Sequence, residues 1–236
     1  MVNKTLGLIG GMSWESTIPY YRIINECVKS QLGGLHSAKI ILHSVDFHEI
    51  ERLQSQGDWE QSAAVLSNIA VGLRQAGAEA IVICTNTMHK VADDVERACQ
   101  LPLLHIADAT GTSLKQHGLK KVGLLGTRYT MEQDFYRQRI QERFGVEVMV
   151  PDHEGKEAVN RIIYEELCLG NINDASRQIY RDIIQQLEQQ GAEGIILGCT
   201  EIPLLISAQD AKVPLFDTSR LHAIAAAKFA LSQPSS

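Results

Sequence analysis

Several things are scarce in this chain, and each scarcity removes a class of protein. Basic charge is one: 22 Lys and Arg stand against 28 Asp and Glu, a formal charge of −6, and no Lys/Arg run interrupts the balance. A nucleic-acid binder is thereby disfavoured. Long apolar runs are also missing. Segments such as 81–83 and 195–197 fall far short of the roughly 20 residues that cross a bilayer. The first seven residues, Met1-Val2-Asn3-Lys4-Thr5-Leu6-Gly7, have no long apolar stretch of the signal-peptide kind. A soluble, cytoplasmic protein is expected. There is no C-x-x-C pair among the five cysteines at 27, 84, 99, 168 and 199, and their number is odd. A disulfide framework or structural zinc site is not expected. No Gly-Lys-Ser/Thr and no Gly-x-Gly-x-x-Gly follows a strand, and no lysine has the setting of a pyridoxal phosphate Schiff base. His43 and His48 lack a carboxylate or cysteine to complete a metal set. Neither cofactor nor metal is expected.

What is present is alternation. Short apolar runs at 6–9, 40–43, 80–83, 101–104, 122–125, 146–150, 194–197 and 213–216 read as strands. Helical patterns lie at 15–32, 59–76, 88–99, 108–117, 131–143, 154–168, 174–190, 201–207 and 217–231. Leu66, Ile69, Ala70 and Leu73 recur at helical spacing, as do Tyr180, Ile183, Ile184 and Leu187. Thr130 with Gln133 reads as a capping box. Such alternation implies an α/β fold with parallel sheets wrapped by helices. The polar tail 232–236 reads as frayed.

A repeat sharpens this. Gly7-Leu8-Ile9-Gly10-Gly11 resembles Gly123-Leu124-Leu125-Gly126-Thr127. The run from Gly77 through Ile83 to Cys84-Thr85-Asn86 resembles the run from Gly191 through Leu197 to Gly198-Cys199-Thr200-Glu201. Gly7 to Cys84 spans 77 positions and Gly123 to Cys199 spans 76. The expectation is two pseudosymmetric lobes, each a mostly parallel sheet flanked by helices, with the active site in the cleft between them. Residues 1–109 plus 213–236 are expected to form the first lobe and 110–212 the second.

Cys84 and Cys199 each close an apolar strand and precede a helix, the edge at which α/β sheets bind ligands. A helix amino end would lower a thiol pKa from its usual value of about 8.5. Either cysteine alone reads as a small buried hydrophobe. Two at equivalent places in a duplication argue for chemistry. One thiolate removes a proton from a carbon while the opposite thiol delivers one to the other face, which is racemisation or epimerisation. The loop Gly10-Gly11-Met12-Ser13-Trp14 is either a tight turn or an anion cradle of backbone amides. A substrate carboxylate would dock on donors of Met12, Ser13, Thr85, Asn86 or Thr200. His89 is placed to orient a thiolate, although a surface helix position is its default. Gln54 and Arg52, on a short polar helix, reach toward a substrate side chain or else form a solvated face.

At these residues the sequence resembles the aspartate/glutamate racemase family, cofactor-independent two-cysteine amino-acid racemases. The resemblance is carried by 7–17, by Cys84-Thr85-Asn86-Thr87-Met88-His89 and by Gly198-Cys199-Thr200-Glu201-Ile202, and extends to 42–50 and 125–136 as in the broad-specificity bacterial members. It implies an isomerase without metal or pyridoxal phosphate, and a homodimer. Cys84 and Cys199 become the acid/base pair. Thr85, Asn86, Thr87 and Thr200 bind the α-carboxylate or amino group, and Gln54 contacts the substrate. Archaeal aspartate racemases carry an arginine after the second strand and a late lysine. Here those places read Phe47-His48-Glu49-Ile50 and Tyr164 through Gly170, with Cys168 at the lysine position and Arg52 the nearest substitute cation. The expected substrate is a small amino acid: aspartate, glutamate or a neutral relative such as homoserine. The competing readings are another thiol-dependent isomerase of maleate isomerase or hydantoin racemase type, a decarboxylase of arylmalonate type, or a non-catalytic amino-acid-binding protein.

Overall fold

The structure is a computed structural model that describes residues 3–233. The chain divides into two compact units. One ends at Ile106 and resumes at His222, and the other is Ala107–Leu221.

In the first unit, β1 (Leu6–Gly10), α1 (Trp14–Leu32), β2 (Ile40–Ser44), α2 (Phe47–Ser55), α3 (Trp59–Gln75), β3 (Ala80–Ile83) and α4 (Ala92–Cys99) follow one another. The three strands form a parallel sheet ordered β2-β1-β3. β1, the middle strand, and β3 beside it are buried along their length, as strands of a parallel sheet covered on both faces are. Asp46 and Asp58 cap α2 and α3 by accepting from the amides of His48 and Gln61. Leu66, Ala70 and Leu73 put the inner stripe of α3 against Ile9, Ile81 and Ile83 on one side of the sheet. The opposite side packs Tyr20, Ile23 and Ile24 of α1 with Leu6, Leu8 and Val82. The run expected as a strand at 101–104 makes only the bridge of Leu103 to Ile81. Pro102 offers a carbonyl to the Ile81 amide but has no amide of its own to extend a ladder.

In the second unit α5 (Ile106–Gln116), β4 (Lys121–Gly126), α6 (Arg128–Glu132), α7 (Asp134–Phe144), β5 (Glu147–Met149), α8 (His153–Glu165), α9 (Asp174–Gln189), β6 (Ile195–Gly198), α10 (Ile202–Leu205) and β7 (Leu215–Asp217) lead to α11 (Thr218–Leu231). The unit boundaries fall at the first residue of α5 and within α11. This sheet is also parallel, ordered β5-β4-β6-β7. Tyr180, Ile183, Ile184 and Leu187 are buried on α9 as their spacing predicts. Thr127, not Thr130, caps the stretch read as one helix over 131–143. That stretch is α6 and α7, which meet at Gln133.

The duplication is visible in the packing. A Cβ on Gly7 would meet Ala78 Cβ at 2.9 Å, with Leu73 on α3 and Ile81 on β3 next. One on Gly123 would meet Ile195 on β6 at 2.8 Å and Leu187 on α9 at 2.9 Å. In both units the central strand β1 or β4 carries glycine where the helix leading into its neighbour, α3 before β3 and α9 before β6, presses a leucine onto the sheet. The lobe boundary expected at 213 moves to 222. β7 pairs with β6 through Leu215, Phe216 and Asp217, so residues 213–221 belong to the second unit. The remainder of α11 buries Ala223, Ala226, Ala227 and Ala230 in the first unit's core. Of the tail read as frayed, 234–236 lie outside the described residues, as do Met1 and Val2 of the amino-terminal reading.

Candidate active site

In the first unit the candidate residues gather at the carboxyl ends of β1 and β3, which are neighbours in the sheet. Cys84 continues β3 directly, and its amide donates to the Ile9 carbonyl at 2.9 Å. Its side chain is fully buried among Tyr20, Val82 and Ala223. Thr85, half-buried, turns the chain with its amide on the Ile83 carbonyl at 2.9 Å. Asn86 and Thr87 are buried at the start of a 3₁₀ turn, Thr87–Val91, that precedes α4. Met12 and Ser13 follow β1 and are buried as well. Met12 joins the cluster that holds Met88 and Ile50. Gln54, read by default as part of a solvated face, is buried instead and donates from Nε2 to Met88 Sδ at 3.0 Å. α2 is amphipathic, and its Ile50, Leu53 and Gln54 side is the buried one. Met12 and Gln54 thus meet through Met88 on one side of the sheet, whereas Cys84 lies in the core on the other side, with Thr85, Asn86 and Thr87 following it in the chain. Arg52 lies exposed on α2 and does not accompany Gln54 inward.

The glycine loop is more occupied than an anion cradle would be. The Gly11 amide donates to Thr17 Oγ1 at 2.9 Å, while Ser16 Oγ and Thr17 Oγ1 both donate to the Ser13 carbonyl at 2.9 Å. Gly11 has φ +88° and lies against Val45, whose nitrogen would sit 2.7 Å from a Cβ there. The glycine is required by that close approach.

In the second unit Cys199 extends β6 just past Gly198, the equivalent edge. Its thiol donates to Glu201 Oε2 at 2.9 Å, and the Thr200 hydroxyl donates to the same oxygen at 2.7 Å. Cys199 and Glu201 are buried, and Thr200 is half-buried. Cys168, on the 3₁₀ turn Leu167–Leu169 that packs against α10, lies near enough to act on the Cys199 thiol electrostatically. Glu201 is the residue that spacing alone did not single out. Its signal was the acidic residue two places after a strand-ending cysteine, a place held by Asn86 in the first repeat.

The expected acidification of the thiols is not what the protein does. Burial pushes the Cys84 thiol far above its ordinary range. Cys199 is also pushed well above it, first by burial, then by the negative Glu201 and by Cys168. The helices that were to lower these values are a 3₁₀ turn and the four-residue α10, too short to sum a sizeable dipole. Both sulfurs rest as neutral thiols, and only Cys199 has a carboxylate bonded to it among the described contacts.

The chain belongs to the Asp/Glu/Hydantoin racemase family, whose model matches residues 9–226. The sequence is 25% identical over 219 residues to the broad specificity amino-acid racemase RacX of Bacillus subtilis (strain 168), covering 91% of this chain and 92% of that one. A crystal structure of a Yersinia pestis protein with a provisional Asp/Glu racemase assignment is 69% identical, with a TM-score of 0.92 over 97% of this chain and 100% of that chain. An aspartate racemase homologue from Pyrococcus horikoshii OT3 is 39% identical, with a TM-score of 0.83 over 97% and 100%. The α/β class with two parallel sheets and the reading as an amino-acid racemase, an isomerase, agree with these findings.

Proposed function

We propose that this protein inverts Cα of an acidic amino acid, aspartate or glutamate, with Cys84 and Cys199 as its two acid/base groups and without a cofactor. The observation that carries the reading is the repeated placement of a buried thiol one residue beyond the strand that pairs with the glycine-bearing strand of each sheet, β3 beside β1 and β6 beside β4. The relatives' names, aspartate racemase homologue and broad specificity amino-acid racemase, support an amino-acid substrate, with aspartate among the candidates.

Inversion needs a base on one face of the carbon and an acid on the other. Glu201 Oε2, 2.9 Å from Cys199 Sγ, takes the thiol proton and leaves a thiolate. That thiolate removes the Cα proton. Cys84, held as a thiol by burial, supplies a proton to the opposite face and becomes the thiolate. The carbon loses one proton and gains one, and the negative charge passes from one sulfur to the other. This leaves Cys84 as the thiolate and Glu201 protonated; that form takes the opposite enantiomer through the same steps in reverse, and without substrate the Glu201 proton is released to solvent and Cys84 is reprotonated from it. Desolvation strengthens each of these charge shifts. Thr85, Asn86, Thr87 and Thr200, with Met12 and Ser13, are the proposed donors to the substrate's carboxylate or contacts to its amino group. Gln54 is the proposed contact to its side chain.

The test is direct. Cys84→Ala and Cys199→Ala should each abolish racemisation of L-aspartate and L-glutamate, followed by chiral chromatography. Racemisation near the wild-type rate in both variants removes the proposal. L-homoserine in the same panel separates a strict acidic preference from a broad one. Tight amino-acid binding with no turnover would favour a non-catalytic binding protein.

We further propose a cytoplasmic homodimer. Trp14, Ile18 and Tyr21 of α1 are exposed and, with Leu42 on the edge strand β2, line an apolar depression of about 400 Å³. Light scattering should give twice the chain mass, and a monomer at micromolar concentration would overturn this. Among the described residues no helix is long and apolar enough to cross a membrane.

A further inference from the structure

Three histidines and a tyrosine lie buried beneath the Cys84 loop, and the proposed reaction uses none of them. His89, His105 and His222 are each less than a tenth exposed, and Tyr20 is fully buried. The His89 ring lies tilted against His105 with centroids 4.6 Å apart and meets His222 edge-on at 5.5 Å. Their bonds fix two tautomers. The Ile106 amide, which can only donate, lies 3.2 Å from His89 Nε2. That nitrogen therefore carries a lone pair, and the ring proton is on Nδ1, 2.8 Å from the Thr85 carbonyl. His222 is the converse. Its Nε2 faces the Leu104 carbonyl at 2.5 Å and must donate, so Nδ1 accepts from the Tyr20 hydroxyl at 2.9 Å.

His89 thus joins two things. Through Nε2 it accepts from the amide that opens α5. Through Nδ1–H it holds the carbonyl of the residue immediately after Cys84. The peptide between Thr85 and Asn86 cannot rotate without breaking that bond, so the bond fixes the direction of the Asn86 amide and restrains the turn that begins right after Cys84. Among the described residues the Cys84 sulfur has a weak contact, 3.8 Å to the Val82 carbonyl, and no carboxylate bonded to it. Glu201 fixes Cys199 by a direct bond, whereas Cys84 has to be fixed through its backbone.

We propose that His89, in its neutral Nδ1–H tautomer, is a positioning residue for Cys84, acting through the Thr85 carbonyl. This rests on the reading of Cys84 as an acid/base group. It accounts for a His-sized, doubly bonded ring at 89 in place of the surface residue its helical setting suggested.

Two variants of similar chemistry separate the two bonds. His89→Asn places an amide N–H near the Nδ1 position and keeps the bond to Thr85. His89→Gln reaches the Nε2 position and keeps the bond to the amide that opens α5. The His89→Asn enzyme should racemise within about threefold of wild type, whereas the His89→Gln enzyme should lose at least tenfold in kcat. The loss should carry a direction. With substrate deuterated at Cα, the primary isotope effect should rise for one enantiomer only, the one whose Cα hydrogen goes to Cys84. Cys84→Ser, run alongside, identifies that enantiomer. Equal activity of the two His89 variants, or equal loss with isotope effects unchanged in both directions, overturns the proposal. If Cys84→Ser itself races at the wild-type rate, the reading of Cys84 fails instead, so the two failures are distinguishable. A further measurement uses the unaltered protein: long-range proton–nitrogen NMR of His89 should show a protonated Nδ1 and a bare Nε2. A protonated Nε2 would refute the assignment whatever the variants do.

Discussion

Removing the charge of Glu201 should move two observables in opposite directions. In Glu201→Gln the side chain keeps its size, but Cys199 Sγ loses the carboxylate at 2.9 Å and Thr200 Oγ1 loses the same oxygen at 2.7 Å. A unit negative charge about 4 Å from a thiolate opposes its formation by about 4 kcal/mol at an effective dielectric near 20. Losing that charge makes the Cys199 thiol more acidic, although burial, the larger cause of its raised pKa, remains. At fixed pH the thiolate fraction of the resting enzyme rises accordingly, and capping by iodoacetamide should accelerate at least tenfold at Cys199 and remain unchanged at Cys84. Racemisation should fall, because the group that receives the thiol proton is gone, and general acid/base groups contribute about 10²- to 10⁴-fold. The assay is peptide mass spectrometry of capped protein against time, paired with chiral chromatography of turnover. Faster capping with undiminished racemisation would show that Glu201 only burdens the thiol. Unchanged capping would show that the carboxylate does not act on Cys199 in solution.

Three further outcomes follow from the same geometry. Gly11→Ala sets a Cβ against Val45 at a φ of +88° and should cost about 2 kcal/mol, or roughly 4–8 °C in thermal midpoint; an unchanged midpoint would show that the loop yields freely. Tyr20→Phe leaves the buried His222 Nδ1 without its hydroxyl donor and should cost about 1–3 kcal/mol in denaturant melts, and a neutral result would contradict the tautomer assigned to His222. Burial raises the Cys84 thiol in the folded state, so its contribution to stability is whole below about pH 8.5, where the unfolded thiol is also protonated, and is lost as pH climbs toward the folded value. The stability gap between wild type and Cys84→Ala should therefore shrink by about 2 kcal/mol between pH 8.5 and pH 10, whereas a constant gap would mean that Cys84 ionises as readily folded as unfolded.

Much of this was legible in the chain because it is encoded locally. A strand-forming run that ends in cysteine and is followed by small polar residues can be read twice, 76 or 77 positions after a matching glycine strand, and the structure returns two parallel sheets with those cysteines at matching edges. What was not legible depends on partners distant in sequence. His89 looked like a surface helix residue because nothing near it announces that Ile106 and His222 close over it. The thiol acidity was misjudged because a cysteine before a helical pattern does not reveal helix length. The structure supplies a 3₁₀ turn and a single helical turn, against burial that is complete at Cys84 and nearly so at Cys199. Pro102 broke a strand that hydrophobicity alone would have drawn, and β7 joined the second sheet although the sequence after it returns to the first unit.

The central claim is that two different sulfurs serve the two faces of one carbon. It is tested most directly by a single-enantiomer turnover in heavy water, stopped while conversion is low, with substrate and product separated and each examined for deuterium at Cα. Two separate groups predict deuterium in nearly every product molecule and almost none in the recovered substrate, since the abstracted proton leaves on one sulfur and a solvent-derived one arrives from the other. Deuterium distributed equally between both pools would mean that one group does both jobs, and the pairing of Cys84 with Cys199 would be wrong.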